Sequence, residues 1–393
     1  MGCTPSANKQ PTVANNGTHH RPARRRLSVS HAEPSVPGGD DREEERERGT
    51  IGDVSVDSSI FALLPPSSSG EGRRASVFGS PATEQQRGFD NKQMEVCGDA
   101  LNAKTLAEVG IGYACKKGLK PESPNQDDFF ILRVDDWGMY GVFDGHGPSG
   151  HDVSGFVHHN LPRILLSDPL FNDNPGQCLK TAFRKVHIAL EQRANQPDGF
   201  DCALSGTTGT VVIHKDNKLY VAHVGDSRAV LGVKTNNSKK LVAQNLTQDH
   251  KPTREDEKKR IVSSGGEVRR LDGDIPHRVF VKGKMYPGLA MSRAIGDTVG
   301  SSVGVIPDPD VTEVSLDSSH QFFTVCSDGV WEFISSQEAI DVIAKKARKG
   351  VQEATEQLAY EAWRRWVAEE ENVVDDITCI VVWLPQPPQQ GGN

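Results

Sequence analysis

This 393-residue chain is short of several things. Its seven cysteines form no CxxC pair, and their irregular spacing and odd number argue against a disulfide framework. Reduced thiols are expected. No apolar run approaches the roughly 18 residues of a membrane-spanning helix. The N-terminus has no apolar core of a secretory signal. Aromatic residues make up 6% of the chain and hydrophobic residues 36%, with a mean hydropathy of -0.50. That is too polar for a chain folded throughout, so a sizeable disordered part is expected. The net charge is -8, which excludes general affinity for nucleic acid.

The polar excess gathers at the start. Residues 1–90 are rich in Ser, Pro, Gly and Arg and read as a disordered tail. The first 30 residues carry five basic side chains and no acidic one; a mixed-charge run, Asp40–Arg48, follows. The opening Met1-Gly2-Cys3-Thr4-Pro5-Ser6 fits N-myristoylation at Gly2, with Cys3 beside it as a palmitoylation site. One myristoyl chain binds membranes only marginally. Cys3 and the basic Arg21–Arg26 cluster each provide a second signal. The expected location is therefore the cytoplasmic face of a membrane. Two sequences, RRRLS ending at Ser28 and RRAS ending at Ser76, place arginines just upstream of a hydroxyl, as an arginine-directed kinase prefers. Phosphate on Ser28 would weaken attraction to anionic lipid.

From about residue 97 the texture becomes that of a folded domain ending near 385, with a short tail at 386–393. Strands are expected at Leu106–Lys116, Asp128–Arg133, Met139–Phe143, Thr207–His214, Lys218–Val224, Arg228–Val233, Phe322–Cys326 and Ile377–Leu384. Helical spacing of apolar residues marks Val153–Leu165, with Pro162 as a kink or restart, and then Leu179–Leu190. Further helices are expected at Glu255–Ser264, Ala339–Ala347 and Val351–Val367. Residues 266–310 show no periodicity and read as a long functional loop. Strands and helices fall in separate runs. This predicts an α+β fold of two packed antiparallel β-sheets flanked by helices.

Asp127, Asp144, Asp226, Asp328 and Asp375 each flank an apolar strand. One such aspartate is an ordinary turn former. Five that converged would repel one another and call for cations. An all-oxygen donor set without thiolate selects Mg²⁺ or Mn²⁺. Asp144-Gly145-His146, at the end of the Met139–Phe143 strand, adds a backbone carbonyl and an imidazole.

Eight segments in order resemble the metal-dependent Ser/Thr protein phosphatases of type 2C. They are NQDDF (125–129), VFDGHGPSG (142–150), SGTTGTVVI (205–213), VGDSRAVL (224–231), LTQDHKP (246–252), LAMSRAIGD (289–297), TVCSDGVWE (324–332) and DDITCIVV (375–382). The resemblance covers about 106–385. It implies two metal ions, roughly 3.5–4 Å apart, sharing a water that attacks phosphorus in line. Asp144 would bridge them, the Gly145 carbonyl would bind one, and Asp328 and Asp375 would hold the other. Asp226 would serve a third ion, and Asp127 would support the ligands. His146 would protonate the departing Ser/Thr oxygen. No phosphoenzyme is implied. Ser205–Thr208 would let two backbones approach, and Asp249–Pro252 would be a structural turn. Animal members carry a carboxylate where Gln126 stands and an arginine where Glu122 stands, which leaves Lys120 as the candidate phosphate grip. The substrates implied are phosphorylated proteins, and the chain is expected to be a monomer. A pseudophosphatase binding module is the alternative, and a metal-dependent nuclease is disfavoured by the negative charge.

Overall fold

A computed structural model describes residues 58–65, 75–79, 92, 94–98, 103–120, 123–134, 137–235 and 238–384. Gly2, Cys3, Ser28, Glu122 and the final tail lie outside the described residues.

The first elements are a short 3-10 helix at Ser58–Leu63, then β1 (Ala75–Gly79), β2 (Glu95–Gly98), α1 (Ala103–Leu106), β3 (Ile111–Lys116), β4 (Asp127–Val134) and β5 (Gly138–His146). Two long helices follow, α2 (Gly150–Leu166) and α3 (Pro175–Ala194). Next come β6 (Gly206–Thr207), β7 (Gly209–Lys215), β8 (Lys218–Val224), β9 (Arg228–Thr235) and β10 (Ser238–Asn245). After them lie α4 (Glu255–Ser263), β11 (Gly266–Arg269), β12 (Arg278–Val281), β13 (Pro287–Leu289), β14 (Ile295–Gly296) and α5 (Thr298–Ser301). The chain closes with β15 (Asp310–Ser315), β16 (His320–Cys326), α6 (Asp328–Trp331), α7 (Ser336–Lys346), α8 (Val351–Glu370) and β17 (Ile377–Trp383).

One sheet runs β15-β8-β7-β5-β4-β1-β2, with β6 and β14 attached beside β5. The other runs β10-β9-β16-β17-β3, and all of these pairs are antiparallel. The two sheets pack face to face. Phe129, Ile131, Tyr140, Val142, Val212 and Val221 of the first meet Leu231, Phe323, Val325 and Ile380 of the second. Alternation along β4 then sends Phe130, Leu132 and Val134 to the other face, under Val157, Leu161 and Leu165 of α2 and Phe183 of α3. Both faces are covered, which is why β4 reads as one apolar run. On the far side α7 and α8 bury Ile340, Ile343, Leu358 and Trp366 against the second sheet. This is the α+β sandwich that strand segregation predicts.

Local chemistry sets the helix ends. Asn174 caps α3, accepting from the Gln177 N–H ahead of Pro175. Ser335 and Glu338 form a reciprocal capping box at α7. Pro162 does not end α2, which runs on to Leu166.

Several expectations are corrected. The tail read as disordered to residue 90 contains the 3-10 helix and β1, whose Ile60, Ala75 and Val77 join the core under α2. Leu106 ends a helix, and the strand begins only at Ile111. Strands β10 and β15 carry too few apolar residues to announce themselves. Residues 266–310 are not one loop. They hold the three-stranded sheet β11-β12-β13, and their Val279, Leu289, Met291, Ala294, Val303 and Val305 pack with Ile261 of α4 into a small core. Strands of three or four residues are too short to show a period. The six described cysteines are free thiols. No helix among the described residues is long and apolar enough to cross a membrane.

Phe323 is fully buried in the middle of the inter-sheet core, its ring edge-on to Tyr140 at 5.4 Å between centroids. Phe323→Ala is expected to lower unfolding free energy by about 3–5 kcal/mol, read from urea denaturation.

Candidate metal centre

The site is assembled where strands end. In the β4–β5 register Asp127 lies directly opposite Asp144. Asp226 follows β8, Asp328 follows β16 and opens α6, and Asp375 precedes β17. These positions bring the carboxylates together. Burial, and then the charges of Asp127, Asp328, Asp375 and Asp226, push the Asp144 carboxyl well above the usual carboxylate range. The other four aspartates expected from sequence thus all lie close enough to Asp144 to act on its charge.

Their settings differ. The Asp127 side chain is 1% exposed and takes the Ser327 hydroxyl at 2.7 Å, so it supports the cluster from beneath. Burial, with the Asp376 charge next, raises its carboxyl well above the ordinary range. Asp376 is a strut: its two oxygens accept the Gly118 N–H at 2.7 Å and the Gln126 N–H at 2.8 Å. Gly145 allows close approach, since a Cβ there would fall 2.3 Å from the Gly150 carbonyl and 2.5 Å from the Gln126 carbonyl.

Two ammonium groups answer the negative charge. Lys120 is paired with Asp375, and Lys251 with Asp226. Lys120, the candidate phosphate grip, thus rests on an expected metal ligand at the rim of the cluster. The lysines beside it are spoken for: Lys116 pairs with Glu356 at 3.0 Å, and Lys117 donates to the Lys120 carbonyl. Gln126 donates its side-chain N–H to the Gly147 carbonyl at 2.7 Å. It braces the turn after His146.

His146 ends β5 and pairs with Gly206 of β6. Its Nε2–H donates to Asp297 Oδ2 at 2.7 Å. A Cβ at Gly206 would lie 2.2 Å from Asp297 Oδ2 and 2.8 Å from His146 Nε2, so only glycine fits over the pair. The Ser205–Thr208 segment does let two backbones meet. Burial alone would lower the His146 pKa, but the adjacent Asp297 carboxylate outweighs it and raises the pKa. Asp297 itself is fully buried at φ +50, in the left-handed region.

Asp297 and Lys251 are the residues that sequence reasoning passed over. Asp297 lies in the LAMSRAIGD segment, and nothing local distinguishes it from a helix cap. Lys251 lies in the segment read as a structural turn. That turn does clamp β8 to β9: the Gly225 N–H donates to His250 Nδ1 at 3.2 Å, and Arg228 pairs with Asp249 at 2.9 Å. Lys251 nevertheless reaches the cluster.

Among the described residues, one group of His, Cys, Asp or Glu has ligand atoms all within 4.8 Å of one another: His223, His250 and Asp310. It is structural. The two rings stack at 4.4 Å and 13°, and their nitrogens are engaged: His223 Nε2 donates to the Gln248 carbonyl at 2.9 Å, and His250 Nε2 lies 3.2 Å from Asp310 Oδ2. Arg293 and Arg254 already hold Asp310, at 2.9 and 3.3 Å.

Fold and site together define a layered α+β protein with an all-oxygen carboxylate cluster and an imidazole–carboxylate pair at one end of the sheets. The family model for Protein phosphatase 2C matches residues 119–370, and the chain belongs to that family. It is 36% identical over 297 residues to Probable protein phosphatase 2C 35 of Arabidopsis thaliana, covering 68% of this chain and 82% of that protein. With Probable protein phosphatase 2C 58 of the same plant it shares 34% over 296 residues, covering 73% and 93%. Among solved structures, a serine-threonine phosphatase 2C from Toxoplasma gondii superposes with a TM-score of 0.61 at 22% identity, covering 70% of this chain and 94% of that one. At that identity the likeness speaks for the fold.

The raised pKa of His146 has a testable sign. Its protonated form is favoured in the folded state. The stabilisation is therefore fully present below the unfolded pKa of about 6.5 and is lost as pH rises through the folded value. Asp297→Asn is expected to cost more stability at about pH 5.5 than at about pH 9, measured by urea unfolding at both.

Proposed function

We propose that this chain is a protein serine/threonine phosphatase that uses Mg²⁺ or Mn²⁺. The observation that carries the reading is the convergence of five aspartates from five strand ends beside a paired imidazole. The donor set fits the cations: it is all oxygen, short of positive charge, and held on rigid strands. Asp144, the Gly145 carbonyl, Asp328 and Asp375 would hold two ions, with Asp226 offering a place for a third. When bound, such ions supply Lewis acidity to the phosphoryl oxygens and acidify water at the site.

The chain's own residues do the rest. His146 keeps a proton available for the departing serine or threonine oxygen, and Asp297 fixes which ring nitrogen carries hydrogen. Asp127 and Asp376 hold the strand ends in register from below. Lys120 and Lys251 place positive charge at the rim, where an anionic phosphopeptide would arrive. In this reading water attacks phosphorus directly and no phosphoenzyme forms. Substrates are phosphorylated proteins, and the enzyme acts as a monomer.

We also infer that Gly2 and Cys3 are acylated, which would hold the enzyme at the cytoplasmic face of a membrane. The MGCTPS start and the basic Arg21–Arg26 cluster support this.

The deciding assay is hydrolysis of a phosphoserine peptide with added Mn²⁺. The parent should turn over and stop on chelation. Asp144→Ala should lose more than about 10²-fold in rate with an unchanged circular dichroism spectrum. An inactive parent that still binds phosphopeptide would instead support a pseudophosphatase. For anchoring, the parent expressed in eukaryotic cells should fractionate with membranes and Gly2→Ala should not. Equal fractionation of the two would sink acylation.

A further inference from the structure

Ammonium groups reach the carboxylate cluster in different ways. Lys92 is 5% exposed. Its ammonium donates to the Asp127 carbonyl at 2.9 Å and faces Asp128, which is not an expected ligand, at 3.4 Å. Its own N–H donates to the Cys115 carbonyl at 2.6 Å. That charge is built in. Lys120 differs in both respects. It is paired with Asp375, an expected metal ligand, and its side chain is 36% exposed. Its stem can turn into water without opening a cavity.

The backbone builds this pairing. The Gly118 N–H donates to Asp376 Oδ1 at 2.7 Å, and the Leu119 N–H donates to the Val374 carbonyl at 2.8 Å. A Cβ at Gly118 would fall 2.1 Å from that same carbonyl oxygen, so only glycine lets the two segments lie this close. The Lys120 carbonyl accepts from Lys117 Nζ at 2.8 Å and from the Ser123 N–H at 3.2 Å. A fastened loop thus presents Lys120 to Asp375. Burial works against the ammonium charge, and the carboxylates of Asp375, Asp376 and Asp144 raise its pKa nonetheless. Asp375 and Asp144 are both residues expected to hold ions.

One carboxylate cannot serve two cations at full strength. Asp375 Oδ1 takes the Lys120 ammonium and also the Asp376 N–H, the latter at 2.9 Å. A divalent ion on either oxygen of Asp375 would stand beside that ammonium, and like charges so close repel. We propose that Lys120 is an internal competitor for the metal site: it holds Asp375 until an ion binds, and the ion turns it out into water. This lysine thereby sets part of the affinity for Mg²⁺ or Mn²⁺, and with it the ion concentration the enzyme needs. The inference rests on the metal-dependent function proposed above.

The test compares Mn²⁺ binding to the full chain and to Lys120→Met by titration calorimetry, with the fold of each checked by circular dichroism. Lys120→Met should bind Mn²⁺ at least about five-fold more tightly, the worth of a partly exposed ion pair. Lys116→Met removes a nearby charge that pairs instead with Glu356, and should stay within about two-fold of the parent. A second measurement uses the parent alone: acetylation by acetic anhydride, followed at each lysine by mass spectrometry. Saturating Mn²⁺ should speed modification of Lys120 about five-fold and leave Lys92 unchanged. Equal Mn²⁺ affinity in the parent and Lys120→Met overturns the proposal, and so does an equal gain in Lys116→Met. A Lys120 acetylation rate that Mn²⁺ does not raise overturns it as well. If neither the parent nor Lys120→Met binds Mn²⁺, the function proposed above falls, and the competition with it.

Discussion

Mutual repulsion among the carboxylates is the constraint to which the rest of the structure answers. Five aspartates held close together in a partly buried place would drive their strands apart or stay protonated, unless cations intervene. The protein meets this by rigidity. Each aspartate sits at the end of a strand whose register is set by neighbours on both sides and by packed cores above and below. Asp376 ties two backbone segments together beneath the cluster, and Ser327 holds Asp127. Lys120, Lys251 and Lys92 bring positive charge from three different parts of the chain.

The imidazole depends on the same economy of space. His146 ends β5 two residues after Asp144, and Gly206 lets Asp297 approach it from the opposite side. Asp297 reaches it because β14 pairs with β6, which in turn pairs with β5. The segment carrying Asp297 comes from beyond the small three-stranded sheet. A residue about 150 positions away in sequence thus orients the ring next to the cluster.

Much of this was legible beforehand, for identifiable reasons. The sandwich showed because strand and helix patterns fall in separate runs and both sheets have strong apolar faces. The aspartates showed because each directly flanks such a run. The small sheet did not show, because its strands are shorter than any period they could display. Ser76 looked like a tail residue because its upstream arginines resemble a kinase motif, and nothing local reveals that Val77 and Phe78 have partners in β4 and the cores. Gln126 read as a departure from a ligand position; the fold gives it a bracing role toward the Gly147 carbonyl.

Sequence by itself determined the class of fold, the family resemblance and which carboxylates and imidazole to watch, because these depend on local pattern and on motif order. Tertiary structure alone decided that the five aspartates share one cluster, that Asp297 serves His146, that Lys251 reaches Asp226, and that β1 belongs to the sheet. Those facts are long-range. They arise from strand register and from which elements pack together, and neither is encoded in any short stretch of the chain.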